Sequence, residues 1–199
     1  HKNDAGYLIH LNGSTTIGPD SNDKRVTGTV EEAIRAGADA VSFHLNVGSD
    51  HEREQIEDLA RVTDAADRYG MPVLAMTYAR GPGVDESDPE ALQHAVRVGE
   101  ELGADVIKTG YSGDATSFEP VVAATAKPVV IAGGSRGTDR ETVEMVRGAM
   151  DAGAAGVSMG RSLFQHDDPG AMTRAVAGIV HDDLPTDEAL AQAELAVEA

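Results

Sequence analysis

Lys108 closes the run Gly103-Ala104-Asp105-Val106-Ile107-Lys108-Thr109. Val106 and Ile107 read as a short buried strand, which predicts the lysine at a strand end. The chain holds four lysines against twelve arginines, so a lysine kept at a strand terminus needs a reason. An ammonium there either meets a counter-charge or loses its proton, and the neutral amine is a nucleophile toward carbonyls. Schiff-base chemistry is the reading this favours. The structural alternative is a lysine whose stem packs while its head reaches water. Nucleophilic use requires a depressed pKa, for which partial burial and the positive charge of Arg80 or Arg161 are the expected causes.

Other strand ends carry further candidates. Tyr78, Ala79 and Arg80 follow Val73-Leu74-Ala75-Met76. Beside a Schiff-base lysine a phenol can shuttle protons, and an arginine can hold a substrate oxygen or phosphate. Gly133-Gly134-Ser135-Arg136 follows one strand and Gly160-Arg161 the next. Glycines let backbone N–H groups approach an anion closely, and arginine binds phosphate bidentately. Two such loops on successive strands predict a phosphate site. His10 and His44 show no local ligand pair, which favours core or substrate-contacting histidines over a metal site. Gln165-His166-Asp167-Asp168 before Pro169 reads as a loop and helix cap.

A repeated phrase positions these residues. Gly37-Ala38-Asp39-Ala40-Val41, Gly103-Ala104-Asp105-Val106-Ile107 and Gly153-Ala154-Ala155-Gly156-Val157 each end a helix and begin a strand. Strands also start near Met71-Pro72 and Lys127-Pro128, and Tyr7 to Leu11 is a sixth. Between them, residues 30–36, 50–69, 89–102, 118–124, 140–152 and 169–181 carry apolar residues at helical spacing. Thr29 with Glu32 and Thr138 with Glu141 are placed to form capping boxes. Strand and helix alternating without hairpin signals means a parallel sheet. The roughly 23 to 33 residues between strand starts suit βα units of a barrel. Six units leave a closed eight-stranded barrel and an open doubly wound sheet both available, but no Gly-x-Gly-x-x-Gly supports a dinucleotide site.

Composition bounds the function. A net charge of −18 argues against nucleic acid or an anionic membrane as partner. Abundant acids with few lysines and aromatics resemble adaptation to high salt. There is no cysteine, which removes disulfides and thiol chemistry. No apolar run approaches a membrane span and no signal peptide precedes the first strand, so a cytoplasmic protein is expected.

Several stretches together resemble one family. They are His10 to Thr15, Tyr78-Ala79-Arg80-Gly81, Val106 to Asp114, Ala132-Gly133-Gly134 and Gly156 to Arg161. They resemble the archaeal class I aldolases, a group joining fructose-bisphosphate aldolase with 2-amino-3,7-dideoxy-D-threo-hept-6-ulosonate synthase. Within that group, His10-Leu11 before Ser14-Thr15, Phe43 to Ser49 and Lys108 to Tyr111 look more like the synthase branch. The bisphosphate branch usually has proline where this chain has Ala79.

The resemblance implies a parallel (β/α)8 TIM barrel. It implies Lys108 as the Schiff-base lysine and Tyr78 as proton donor. Contacts to substrate or phosphate would fall to Tyr78, Ala79, Arg80, Gly133, Gly134, Gly160 and Arg161. It implies no metal or organic cofactor. In the synthase reaction, 6-deoxy-5-ketofructose 1-phosphate is cleaved on the lysine and hydroxypyruvaldehyde phosphate leaves. The remaining enamine adds to L-aspartate semialdehyde, on a route to aromatic amino acids. The implied partners are phosphorylated keto sugars and small aldehydes, in a homo-oligomer. Fructose-bisphosphate cleavage is the alternative, and a barrel that binds sugar phosphate without catalysis is the alternative from another class.

The family's barrel begins with two further βα units, whose first strand supplies a proton-accepting aspartate. This chain starts at His1 at the equivalent of the third strand, so strands 3 to 8 and a fragment of a longer protein are expected. Residues 1–181 are expected to form the partial barrel, and 182–199 an acidic C-terminal helix or tail.

Overall fold

The computed structural model describes residues 5–134 and 137–196. The chain opens with β1 (Leu8–His10), β2 (Asn12–Gly13), β3 (Arg25–Val26) and α1 (Val30–Arg35). It continues through β4 (Ala40–Val47), α2 (Glu52–Asp67), β5 (Val73–Ala79), α3 (Pro89–Glu101) and β6 (Val106–Thr109). Then come α4 (Ala115–Ala123), β7 (Val129–Ala132), α5 (Asp139–Asp151) and β8 (Gly156–Ser158). Three helices finish it: α6 (Arg161–Phe164), α7 (Pro169–Asp182) and α8 (Thr186–Gln192).

Six strands pair in the order β1-β4-β5-β6-β7-β8, parallel throughout. Alternation separates their faces. Along β5, Val73, Ala75, Thr77 and Ala79 are buried, whereas Leu74, Met76 and Tyr78 are only half-buried. The buried set faces the helices with Phe43, Leu45, Ile107 and Ile131, in one core shared with Leu59, Leu92 and Phe118 of α2, α3 and α4. A doubly wound sheet would bury both faces under helices. Here the second face opens onto a cavity, as the inside of a barrel does.

Local signals explain the helix starts. Thr29 and Glu32 form a capping box on α1, and Thr138 and Glu141 form one on α5. Asp88 accepts from Ala91 N–H ahead of Pro89 in α3. Asp114 accepts from Ser117 N–H at 3.0 Å, so α4 begins at Ala115 and not at Phe118 as periodicity alone predicts. Strand β6 also runs one residue past Lys108, which therefore lies inside the strand.

The largest departure is after β1. In place of a strand leading straight to a helix, the chain makes an excursion in which β2 and β3 pair antiparallel, Asn12 with Val26 and Gly13 with Arg25. Two-residue strands have no periodicity to read. Tertiary bonds hold the excursion: Asn12 Nδ2–H donates to His44 O and His44 N–H to Asn12 Oδ1, both at 2.8 Å.

After α7, Asp183 adopts φ 55° and the chain turns back. Helix α8 then packs Ala189, Leu190 and Ala193 against Val143 and Val146 of α5 and Met172 and Ile179 of α7. Arg140 pairs with Asp187 at 2.7 Å and Arg147 with Asp183 at 2.8 Å across this seam. Leu190 is fully buried, so Leu190→Ala should cost about 2–5 kcal/mol in urea-induced unfolding. An unchanged midpoint would mean that α8 contributes nothing to the shell.

Candidate active site

Lys108 owes its direction to its neighbours. Ile107 and Thr109 are fully buried on the helix side, so the lysine between them turns to the open face. The register aligns His44, Met76, Lys108, Val130 and Gly156 across five strands. One layer further along, Asn46 stands beside Tyr78 and Ala132 beside Ser158. Above these layers opens a cavity of about 620 Å³. Its walls bring together Lys108, Tyr78, Arg80, Gly133, Gly134, Gly160 and Arg161. Ala79 faces the helices, 2% exposed, and lines an adjoining cavity of about 330 Å³ with Tyr78, Arg80 and Tyr111.

Among the described residues Lys108 has no ion pair and no hydrogen bond. Burial pushes its pKa down. The arginine charges expected to assist do not contribute. Arg80 donates to Glu86 from Nε at 2.9 Å and from Nη2 at 2.6 Å, a bidentate clamp. Arg161 is exposed at the start of α6.

Tyr78 is half-buried, and burial raises its pKa to about 12 against the opposing charge of Arg80. The Arg80 guanidinium carbon lies 5.0 Å from the ring centroid. The phenol therefore keeps its proton at neutral pH. The His44 ring stands 5.0 Å from the Tyr78 ring. Burial drives His44 down to about 3, so it is neutral. Asn46 Nδ2–H donates to Asn22 O, which leaves Oδ1 to accept from His44 Nε2–H at 2.7 Å. Nδ1 of His44 is thus the acceptor nitrogen. His10 Nδ1 bonds Ser42 Oγ at 2.9 Å, and its pKa is lowered by burial, then by Lys24 and Lys108. Among the described residues no His, Asp and Glu cluster is placed to hold a metal ion.

The glycine loops have packing reasons of their own. A Cβ on Gly133 would stand 3.2 Å from Met159 side-chain atoms, and Gly134 has φ 61°. Ser162 Oγ–H donates to Gly133 O at 3.1 Å, tying the β7 loop to α6. Ser135 and Arg136, counted in this loop from the sequence, lie outside the described residues. His166 pairs with Asp139 at 2.8 Å and Asp168 caps α7, so that segment is structural. Sequence reasoning missed Glu86, Ser158, Ser162 and Phe164 as cavity residues. Of these Ser158 alone had a signal, its place on the inner face of β8 two residues after Gly156.

The chain belongs to the DeoC/LacD family of aldolases, whose family model matches residues 1–166. It is 66% identical over 199 residues to the 2-amino-3,7-dideoxy-D-threo-hept-6-ulosonate synthase of Halobacterium salinarum, covering all of this chain and 75% of the relative. A class 1 fructose-bisphosphate aldolase of the same organism is 36% identical over 192 residues, 96% of this chain and 73% of the relative. A solved Schiff-base-forming fructose-1,6-bisphosphate aldolase superposes with a TM-score of 0.85 at 34% identity, over 91% of this chain and 74% of that one. The fold is accordingly a partial (β/α)8 barrel.

Burial of Lys108 has a consequence for stability. Its folded pKa lies below the ordinary lysine value of about 10.4, so the folded chain releases this proton before the unfolded chain does. Stability from this group is therefore lowest at neutral pH and rises as pH climbs through the folded value. Lys108→Met should be more stable than the parent at pH 7 in urea unfolding, with the gap narrowing toward pH 10. A gap independent of pH would refute the depressed pKa.

Proposed function

We propose that the chain is a lysine Schiff-base transaldolase that forms 2-amino-3,7-dideoxy-D-threo-hept-6-ulosonate from 6-deoxy-5-ketofructose 1-phosphate and L-aspartate semialdehyde. The observation that supports it most is the unpaired, desolvated Lys108 amine inside a cavity wide enough for a sugar phosphate. The higher identity to the synthase than to the bisphosphate aldolase favours this reaction over fructose-bisphosphate cleavage.

In this reading the Lys108 amine attacks the ketone carbon and gives a carbinolamine. Tyr78, a proton carrier at neutral pH, protonates the departing hydroxyl, and water leaves to form the iminium. The cation draws in the electron pair of the scissile carbon–carbon bond while the hydroxyl on the departing carbon gives its proton back to the Tyr78 phenolate, so hydroxypyruvaldehyde phosphate departs and an enamine stays on Lys108. The enamine carbon then attacks the aldehyde of L-aspartate semialdehyde, and hydrolysis frees the lysine. Backbone N–H groups of Gly133, Gly134 and Gly160, with the Arg161 guanidinium, serve the phosphate. His44, neutral and fixed by Asn46, offers Nδ1 to a substrate hydroxyl. A cytoplasmic homo-oligomer belongs to the same reading; no helix among the described residues is long and apolar enough to cross a membrane.

Borohydride in the presence of the keto-sugar phosphate should link it covalently to Lys108, located by peptide mass spectrometry. Lys108→Ala should give no adduct and Tyr78→Phe should form it about 10²-fold more slowly. Adduct formation on another lysine, or at an equal rate in Tyr78→Phe, would contradict these assignments. A barrel that only binds sugar phosphate would form no adduct at all.

A further inference from the structure

One ring in the cavity wall is fixed from outside the cavity. His44 lines the wall, and Nε2–H of its imidazole is held by Asn46 Oδ1 at 2.7 Å. Asn46 is fully buried, and so is Gln55 of α2 behind it. Gln55 Oε1 accepts from Asn46 N–H at 2.8 Å, while its Nε2–H donates to the Asn22 carbonyl at 2.6 Å. The same carbonyl accepts from Asn46 Nδ2–H at 3.2 Å. The buried Asn12 clamps the His44 backbone at both its N–H and its C=O.

This relay leaves one assignment of donors and acceptors. A backbone N–H can only donate and a carbonyl can only accept. Asn46 N–H and Asn22 O therefore fix the Gln55 amide, and Asn22 O fixes that of Asn46. The Asn46 oxygen is left to face His44, which must give its Nε2 proton and keep Nδ1 as a lone pair. Among the described residues Nδ1 has no hydrogen-bond partner. Buried amides cost stability unless each is paired, and apolar side chains would fill the same space without that demand. Two fully buried amides and the excursion after β1 converge instead on one tautomer of one ring. That ring stands 5.0 Å from the ring of Tyr78, whose phenol is a donor. A donor beside an acceptor matches two oxygens on neighbouring carbons.

We propose that His44 selects ketones with a hydroxyl on the carbon next to the one Lys108 attacks, accepting that hydroxyl at Nδ1. Gln55 is then a positioning residue, which sets the His44 tautomer. The proposal rests on the Schiff-base reading and deepens it at the fragment that stays on the lysine. His44 and Lys108 lie in one inward row, with Met76 between them. Two strand spacings put their backbones about 10 Å apart, a gap that a lysine stem, a small ketone and an imidazole fill. The carbinolamine oxygen falls to Tyr78 and the neighbouring hydroxyl to His44.

Hydroxyacetone is the smallest ketone with that hydroxyl, and butanone carries a methyl group in its place. Nitrogen NMR of the full chain with isotope-labelled histidine should show His44 Nδ1 unprotonated and Nε2 protonated, the signals being assigned by their loss in His44→Phe. Saturating hydroxyacetone should move the Nδ1 resonance toward the protonated range, and butanone should not. Borohydride trapping on Lys108 gives a rate ratio of hydroxyacetone to butanone, in which intrinsic ketone reactivity cancels between proteins. His44→Phe should lower that ratio on the order of 10-fold. Gln55→Met removes the amide at similar volume, and it should lower the ratio and mix the two tautomers. A purely structural Gln55 would lose stability with ratio and tautomer unchanged, which would remove its positioning role. A protonated Nδ1 in the parent, or an unchanged ratio in His44→Phe, would overturn the proposal. If neither ketone gives an adduct, the Schiff base fails, and the resonance shift still decides the hydroxyl contact.

Discussion

The register of β6 between β5 and β7 is the constraint on which the site depends. Met76 pairs with Lys108 and Lys108 with Val130, so the amine and its neighbours form one inward row. A slip of one residue would exchange the faces and drive the ammonium into the apolar layer with Phe118 and Leu92. Burial of Ile107 and Thr109 opposes that slip, because each fits among helices where Lys108 could not. The apolar pattern of a four-residue strand thus does more than fold the chain. It aims the amine that the proposed reaction uses as its nucleophile.

Aiming it inward costs stability, since a lysine on this face is partly stripped of water and has no counter-ion among the described residues. In the proposed reaction that cost is also the activation. An amine beside a carboxylate would keep its proton and be inert toward a ketone. The site separates its carboxylates accordingly: Glu86 is tied to Arg80, while the surface acids pair with arginines along helix faces, as Arg61 does with Glu57 and Asp58. Tyr78 and His44 follow the same logic. Burial keeps the phenol protonated and the imidazole neutral, so the Schiff-base carbon would meet a donor and an acceptor with no standing charge.

The sequence shows the outline of this arrangement and conceals its electrostatics. Six strands, their parallel run and both capping boxes follow from periodicity and spacing, because each βα unit is local in the chain, while the barrel order comes from the family resemblance. The convergence of Lys108, Tyr78, Gly133 and Arg161 follows from a single rule about strand ends. Three features escape such rules. The β2–β3 pair has strands too short for a period, and it is held by contacts 32 and 33 residues away in sequence, Asn12 to His44 and Asn22 to Gln55. Glu86 lies in a loop where no pattern marks an inward side chain. Arg80 reads as a free cation, yet the loop returns six residues later to clamp it.

That clamp also bears on which aldolase chemistry the barrel suits. A bisphosphate presents a dianion at each end, and a wall serving the second one gains from cations alone. Here an acidic side chain, Glu86, occupies the wall and holds the Arg80 fork. Identity ranks the synthase above the bisphosphate enzyme by descent. Glu86, which the family motifs do not include, ranks them the same way, since a carboxylate at that wall repels a second phosphate.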